Sequence, residues 1–125
     1  MMIFLKSVYA EPEPGDGLRI LVDRLWPRGE SRERLQLDTW QKELAPSHEL
    51  RRWFSHDLEK WEEFRRRYFE ELADCEEAVA GLLDLIGDRQ ATLLFAAHDQ
   101  QHNNAVALRD YLEERFSAGA RSGRD

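Results

Sequence analysis

The sequence predicts an α/β domain in which helices pack around a short, mostly parallel sheet of about three to four strands, giving a small three-layer-like arrangement. Three observations predict it. Residues 19–26 and 92–97 are short apolar runs, and each ends in a polar cluster, 27–29 after the first and 98–104 after the second. Between them, from Ser31 to Gly87, apolar residues recur at the three- and four-residue steps of helices. In open sheets of this kind the crevice beyond the carboxyl ends of the strands is where ligands bind, so the two polar clusters mark a candidate site.

Residues 3–8 read as the first strand, and the prolines and glycines of 11–17 exclude a regular helix after it. That connection is shorter than the dozen or so residues a parallel crossover needs, so the first two strands are expected to be antiparallel or irregularly joined. The second strand runs over 19–26 and stops at Pro27, which has no N–H for a ladder, and Gly29 frees the turn that follows. Asp38, with Gln41 three residues on, has the spacing of a capping box ahead of Leu44.

Ala45, Pro46 and Ser47 break that helix, Ser47 caps a short one through Trp53 and Phe54, and Asp57 caps the long one after it. Trp61, Phe64, Tyr68 and Leu72 form one apolar stripe, and Val79, Leu82, Leu83 and Ile86 continue the pattern to a stop at Gly87. Residues 92–97 are apolar throughout, as in a central strand covered on both faces. Asn103 or Asn104 caps the last helix, which packs through Val106, Leu108, Leu112 and Phe116. Residues 1–116 read as a single domain and 117–125 as a small polar tail without order.

No apolar run is long enough to cross a membrane and the N-terminus lacks a secretion signal, so the expected location is the cytoplasm. The single cysteine, Cys75, excludes an intrachain disulfide and a Cys-x-x-Cys pair, and reads as a small helix residue. A net charge of −7 argues against a general nucleic-acid or membrane-surface binder. Arginines make up 15 of the 18 cations, clustered at 19–34 and 51–67, and their planar forks suit carboxylate or phosphate. Arg51, Arg65 and Arg66 read as members of solvated helix faces.

Particular stretches carry a resemblance: Ile20-Leu-Val-Asp-Arg-Leu-Trp-Pro-Arg-Gly29, Glu43-Leu-Ala-Pro-Ser47, Arg52-Trp-Phe54 with His56-Asp57, Thr92-Leu-Leu-Phe-Ala-Ala97, and Asn103-Asn-Ala-Val106. Over residues 3–112 the chain resembles the YeaO-like branch of a bacterial domain family of unknown function. The resemblance implies a compact α/β domain and no established activity. Wider relatives share a strand ending Val-Asp-x-Arg and begin the last helix with a Cys-His-Arg-like sequence. Here that start reads His102-Asn103-Asn104, without cysteine, so thiol chemistry does not carry over.

Asp23 and His98 are the candidates to move a proton, because each stands at a strand exit. Arg24 and Arg28 are the candidates to hold an anion, Trp26 to line the pocket, and Asn103, Asn104 and His56 to contact the ligand. Strand alternation puts Asp23 and Arg24 on opposite faces. His102 reads as a solvated loop residue. His-Asp occurs twice, at 56–57 and 98–99, but the further ligands of a metal site are missing from the spacing, and no metal or cofactor is expected. The expected partner is a small anionic molecule, with no membrane and no nucleic acid, and the sequence leaves the oligomeric state open. The reading is a hydrolase or transferase acting on a phosphorylated or nucleoside-like compound. The alternative is a non-catalytic binding or regulatory module whose arginine-rich helices, through Arg52, Arg65 and Arg66, contact protein or nucleic acid.

Overall fold

The computed structural model describes residues 2–122, and side-chain surroundings through residue 118. Strands β1 (Met2–Ser7), β2 (Leu18–Leu21), β3 (Thr39–Trp40) and β4 (Gln90–Phe95) form one sheet in the order β1-β4-β2-β3, with every neighbouring pair parallel. The described helices are α1 (Arg32–Leu35), α2 (His48–Phe54), α3 (Trp61–Ala73), α4 (Glu76–Ile86) and α5 (Asn104–Ser122). The α/β class with a parallel sheet is the one the sequence predicts.

β4 is buried from Ala91 to Phe95 because it lies between β1 and β2 with both faces covered. Ala91, Leu93 and Phe95 enter the larger core, where they join Ile20 and Val22 and residues of α2 to α5, among them Leu50, Tyr68, Leu72, Leu82 and Leu108. On the opposite face Leu94 meets Val8, Leu21 and Leu35, with Trp26, Leu37 and Trp40 packed against them. The two outer layers are therefore unequal: four helices cover one face, and α1 with its flanking loops covers the other.

Local signals explain most element ends. The Ser47 hydroxyl accepts from the Leu50 N–H at the start of α2, and Gly87 ends α4 at φ 58°. Asp57 caps a 3₁₀ turn, Leu58–Lys60, that runs directly into α3. Asn103, and not Asn104, caps α5, its side-chain oxygen accepting from the Val106 N–H at 3.0 Å. The helical run continuing to Gly87 is broken at Asp74 and Cys75 into α3 and α4. α5 extends through Ser122, so its last turns lie in the segment that the sequence set apart as a tail, and residues 123–125 lie outside the described residues.

Three expectations are corrected. Of the two alternatives for the first connection the antiparallel one is overturned, since β4 lies between β1 and β2 and pairs in parallel with both, while an irregular join is what the chain makes. The short connection is accommodated by a 3₁₀ turn at Pro14–Asp16 and by Gly17 at φ 66°, where an added Cβ would stand 2.3 Å from the Gln90 carbonyl oxygen. Asp38 starts no helix. Its carboxylate accepts from the Arg19 N–H and its own N–H donates to the Arg19 carbonyl, both at 2.8 Å, which seats Thr39 and Trp40 as an edge strand beside β2. β2 ends at Leu21, well short of Trp26, for a reason that lies in the site itself.

A charged network closes the opposite end of the sheet. Arg19 is 5% exposed and Asp16 8%, and they pair at 2.5 Å, while Lys6 reaches the other Asp16 oxygen at 2.9 Å and Arg19 Nε donates to the Leu35 carbonyl. Burial works to raise the Asp16 pKa, but the Glu13 N–H, Lys6 and Arg19 together hold it below the ordinary carboxylate value.

Candidate functional site

Between the exits of β2 and β4 the sheet splits. Val22 N–H still donates to the Leu94 carbonyl at 3.2 Å, and the parallel pattern would next pair the Ala96 N–H with the Val22 carbonyl. That bond is not made. The Ala96 N–H donates instead to Asp23 Oδ2 at 2.9 Å, and the Val22 carbonyl accepts from the Asn104 side-chain amide at 3.0 Å. The same amide donates to Asp23 Oδ1 at 3.1 Å. Two polar side chains thus take over the two halves of one ladder hydrogen bond, ending β2 and holding the strands apart.

The opening leads into a cleft of about 320 Å³, bordered by the β2 and β4 exits, the 45–46 segment, α2 and the start of α5. Phe54 and Phe64 line it, stacked at 4.4 Å, with Trp61 stacked behind Phe64 at 5.6 Å. Arg24 enters from the β2 exit and is anchored by the Ala45 carbonyl at 3.1 Å and the Pro46 carbonyl at 3.4 Å. Arg51 enters from α2. Neither guanidinium has a carboxylate within salt-bridge distance among the described residues, whereas Arg65 pairs with Asp110 at 3.0 Å and Arg66 with Glu63 at 2.7 Å.

Two imidazoles complete the wall. His56 follows α2 in a left-handed turn, φ 59° after Ser55 at 45°, which brings its ring to the cleft beside Phe54. His102 sits edge-on to Trp61 at 5.3 Å, with Nδ1 3.1 Å from Asp99 Oδ2. An ionised carboxylate only accepts, so Nδ1 carries a proton in this pair. The Gln101 N–H, outweighing burial with help from the His102 N–H and ring, holds the Asp99 pKa below its ordinary value. Asp23 is shifted the other way. Burial raises its pKa, and the Ala96 N–H, the Asn104 amide and the Arg51 charge only partly offset this.

Of the residues singled out in the sequence, Asp23, Arg24, His56, Asn103 and Asn104 line this cleft. Asp23 and Arg24 share it because strand geometry has ended at Leu21, so alternation no longer separates them. Asn103 is 3% exposed, and its amide is taken up by the α5 cap and by the Asp99 carbonyl. Three candidates fall elsewhere. His98 is exposed and lies outside the lining, so it forms no pair with Asp23. Arg28 is exposed, and its carbonyl accepts from the Tyr9 hydroxyl. Trp26 packs in the smaller core, edge-on to Trp40 at 5.5 Å, with its N–H on the Glu30 carbonyl.

Arg51 and His102, read from sequence as solvated, belong to the cleft, as do Phe54 and Phe64. The signal available for them was weak: His102 directly precedes Asn103, and Arg51 and Phe54 lie in the helix just before His56. The two His-Asp pairs do not converge, and no group of three or more metal-ligating side chains occurs among the described residues.

A family model described as "Inactive DUF488-N3 subclade" matches residues 2–124. The chain belongs to this subclade. This DUF488-N3 chain is 44% identical over 112 residues to the "Uncharacterized protein YeaO" of Escherichia coli K12, which covers 90% of the chain and 97% of the relative. It is 40% identical over 108 residues to the "Uncharacterized protein Rv3073c" of Mycobacterium tuberculosis H37Rv and, equally, to Mb3100c of Mycobacterium bovis, covering 86% of the chain and 91% of each relative. No solved structure matches it. No helix among its described residues is long and apolar enough to cross a membrane.

Proposed function

We propose that the cleft at the β2 and β4 exits binds a small phosphorylated ligand and does not transform it. The observation that carries this reading is the pair Arg24 and Arg51, both lining one cavity and neither within salt-bridge distance of a carboxylate among the described residues, with two imidazoles beside them. Guanidinium groups not engaged in a salt bridge around a concave, partly apolar site favour phosphate, whose oxygens match the fork of their N–H donors. Binding without turnover is favoured because the proton-moving pair of the hydrolase or transferase reading is not assembled: His98 lies away from the cleft that Asp23 lines. The family description, which calls the subclade inactive, agrees. The arginine-rich helical face has less support, since Arg65 and Arg66 are neutralised by Asp110, Glu63 and Glu70.

A thermal-shift series with inorganic phosphate, ribose 5-phosphate and adenosine monophosphate tests the proposal. A ligand present at a hundred times its dissociation constant stabilises the fold by about 2.7 kcal/mol. The expected result is a shift in the wild type that Arg51→Ala reduces. Equal shifts in both proteins would remove Arg51 from the site, and release of phosphate from ribose 5-phosphate would restore the hydrolase reading.

A further inference from the structure

We infer that the ligand's other end is a hydroxyl-bearing sugar ring and that Asp23 is the residue that selects it; this rests on the phosphate-binding reading of the same cleft. Asp23 is the one carboxylate among the described lining residues, set among Arg24, Arg51, His56 and His102. Each of its oxygens accepts a single hydrogen bond within the protein, Oδ1 from the Asn104 amide and Oδ2 from the Ala96 N–H. A carboxylate has about four acceptor positions, so capacity remains on the cleft side for donors from a ligand.

The character of that donor follows from its surroundings. A ligand ammonium would meet two guanidinium groups in the same small cavity, and like charges repel. Neutral hydroxyls carry no such penalty. A pair of neighbouring hydroxyls on a ring can address both oxygens of one carboxylate, and the stacked Phe54 and Phe64 offer an apolar surface to the C–H face of that ring. The cavity of about 320 Å³ holds a molecule of sugar-phosphate or mononucleotide size. Phosphate at the arginines and hydroxyls at Asp23 together fix the direction in which the ligand lies.

Isothermal titration of inorganic phosphate, ribose 5-phosphate and tetrahydrofurfuryl phosphate, which has the same ring size without the hydroxyls, tests the assignment in wild type and in Asp23→Asn. The expected result is that ribose 5-phosphate binds the wild type about 10- to 100-fold more tightly than tetrahydrofurfuryl phosphate, the range for hydrogen bonds to a charged group, and that Asp23→Asn abolishes the difference. Equal affinities in the wild type would overturn this inference and leave phosphate binding standing. A preference that survives Asp23→Asn would place the hydroxyls elsewhere and overturn it too. No binding of any of the three would overturn the phosphate reading itself.

Should Asp23→Asn fail to fold, the Ala96 amide resonance of the wild type reports on the same carboxylate. It should move with ribose 5-phosphate and stay in place with tetrahydrofurfuryl phosphate. Equal movement with both contradicts the inference.

Discussion

The Asn104 side-chain amide donates to the Asp23 carboxylate at 3.1 Å, across 81 residues of sequence, and together they occupy the two ends of a ladder hydrogen bond that β2 and β4 do not make. The cleft exists because of this substitution. Removing either side chain alone leaves the Ala96 N–H or the Val22 carbonyl without its partner, at a cost of about 1–3 kcal/mol. With both removed, the two backbone groups can pair with each other. Asp23→Ala and Asn104→Ala should therefore be less than additive in a double-mutant cycle read by urea unfolding, with the coupling contributed by the restored ladder bond. Additive or more than additive losses would contradict this account of the strand split.

Asp16 and Arg19 give the fold an acid-sensitive lock at the other end of the sheet. The folded Asp16 pKa lies below its ordinary value, so its contribution is fully present at neutral pH and is lost as the pH falls below 3.8 toward the folded value. Asp16→Asn leaves Arg19 buried without its charge partner and should destabilise the protein by about 3 kcal/mol at neutral pH. The difference from wild type should shrink as the pH approaches 3.8 and falls below it, a trend measurable by denaturant melts across pH. Asp23 has the opposite sign, since its raised pKa makes folding relatively easier as the pH falls through that range.

Gly17→Ala should be among the most damaging single changes. The added methyl would stand 2.3 Å from the Gln90 carbonyl oxygen, on a backbone held at φ 66°. Strain of this kind costs at least about 2 kcal/mol, to be read as a fall in melting temperature. Gly29→Ala, which has a similar φ of 78° but open space around it, should cost less.

Ligand affinity should separate the arginines by position. Arg28→Ala and His98→Ala change exposed residues outside the cleft lining and should leave phosphate affinity unchanged in a titration. Arg51→Ala should weaken it while leaving the melting temperature of the free protein nearly constant, because that side chain is exposed and makes no ion pair among the described residues.

The parts legible in the sequence are those set by local chemistry. Ser47 and Gly87 mark helix ends through their own hydroxyl and backbone freedom, and the apolar run through Leu93 and Phe95 announces a central strand because both its faces are buried. The parts that were not legible depend on distant partners. Asp38 has a capping-box spacing, yet its carboxylate is taken by the Arg19 backbone, a contact that local sequence does not encode. Arg51 and His102 look like ordinary solvent-facing residues until α2 and the start of α5 are brought to the same cavity. Arg28 and Trp26 follow the same strand as Asp23 and Arg24, but the chain has turned away from the cleft by the time it reaches them.

The most direct test of phosphate binding at the strand exits is the set of arginine Nε–H resonances, followed by NMR during addition of inorganic phosphate at constant ionic strength. Arg24 and Arg51 should move in a saturable manner with a common dissociation constant, while Arg65 and Arg66, already paired with carboxylates, should stay in place. Movement of Arg65 and Arg66 without Arg24 and Arg51, or a uniform drift of all four that never saturates, would contradict the account.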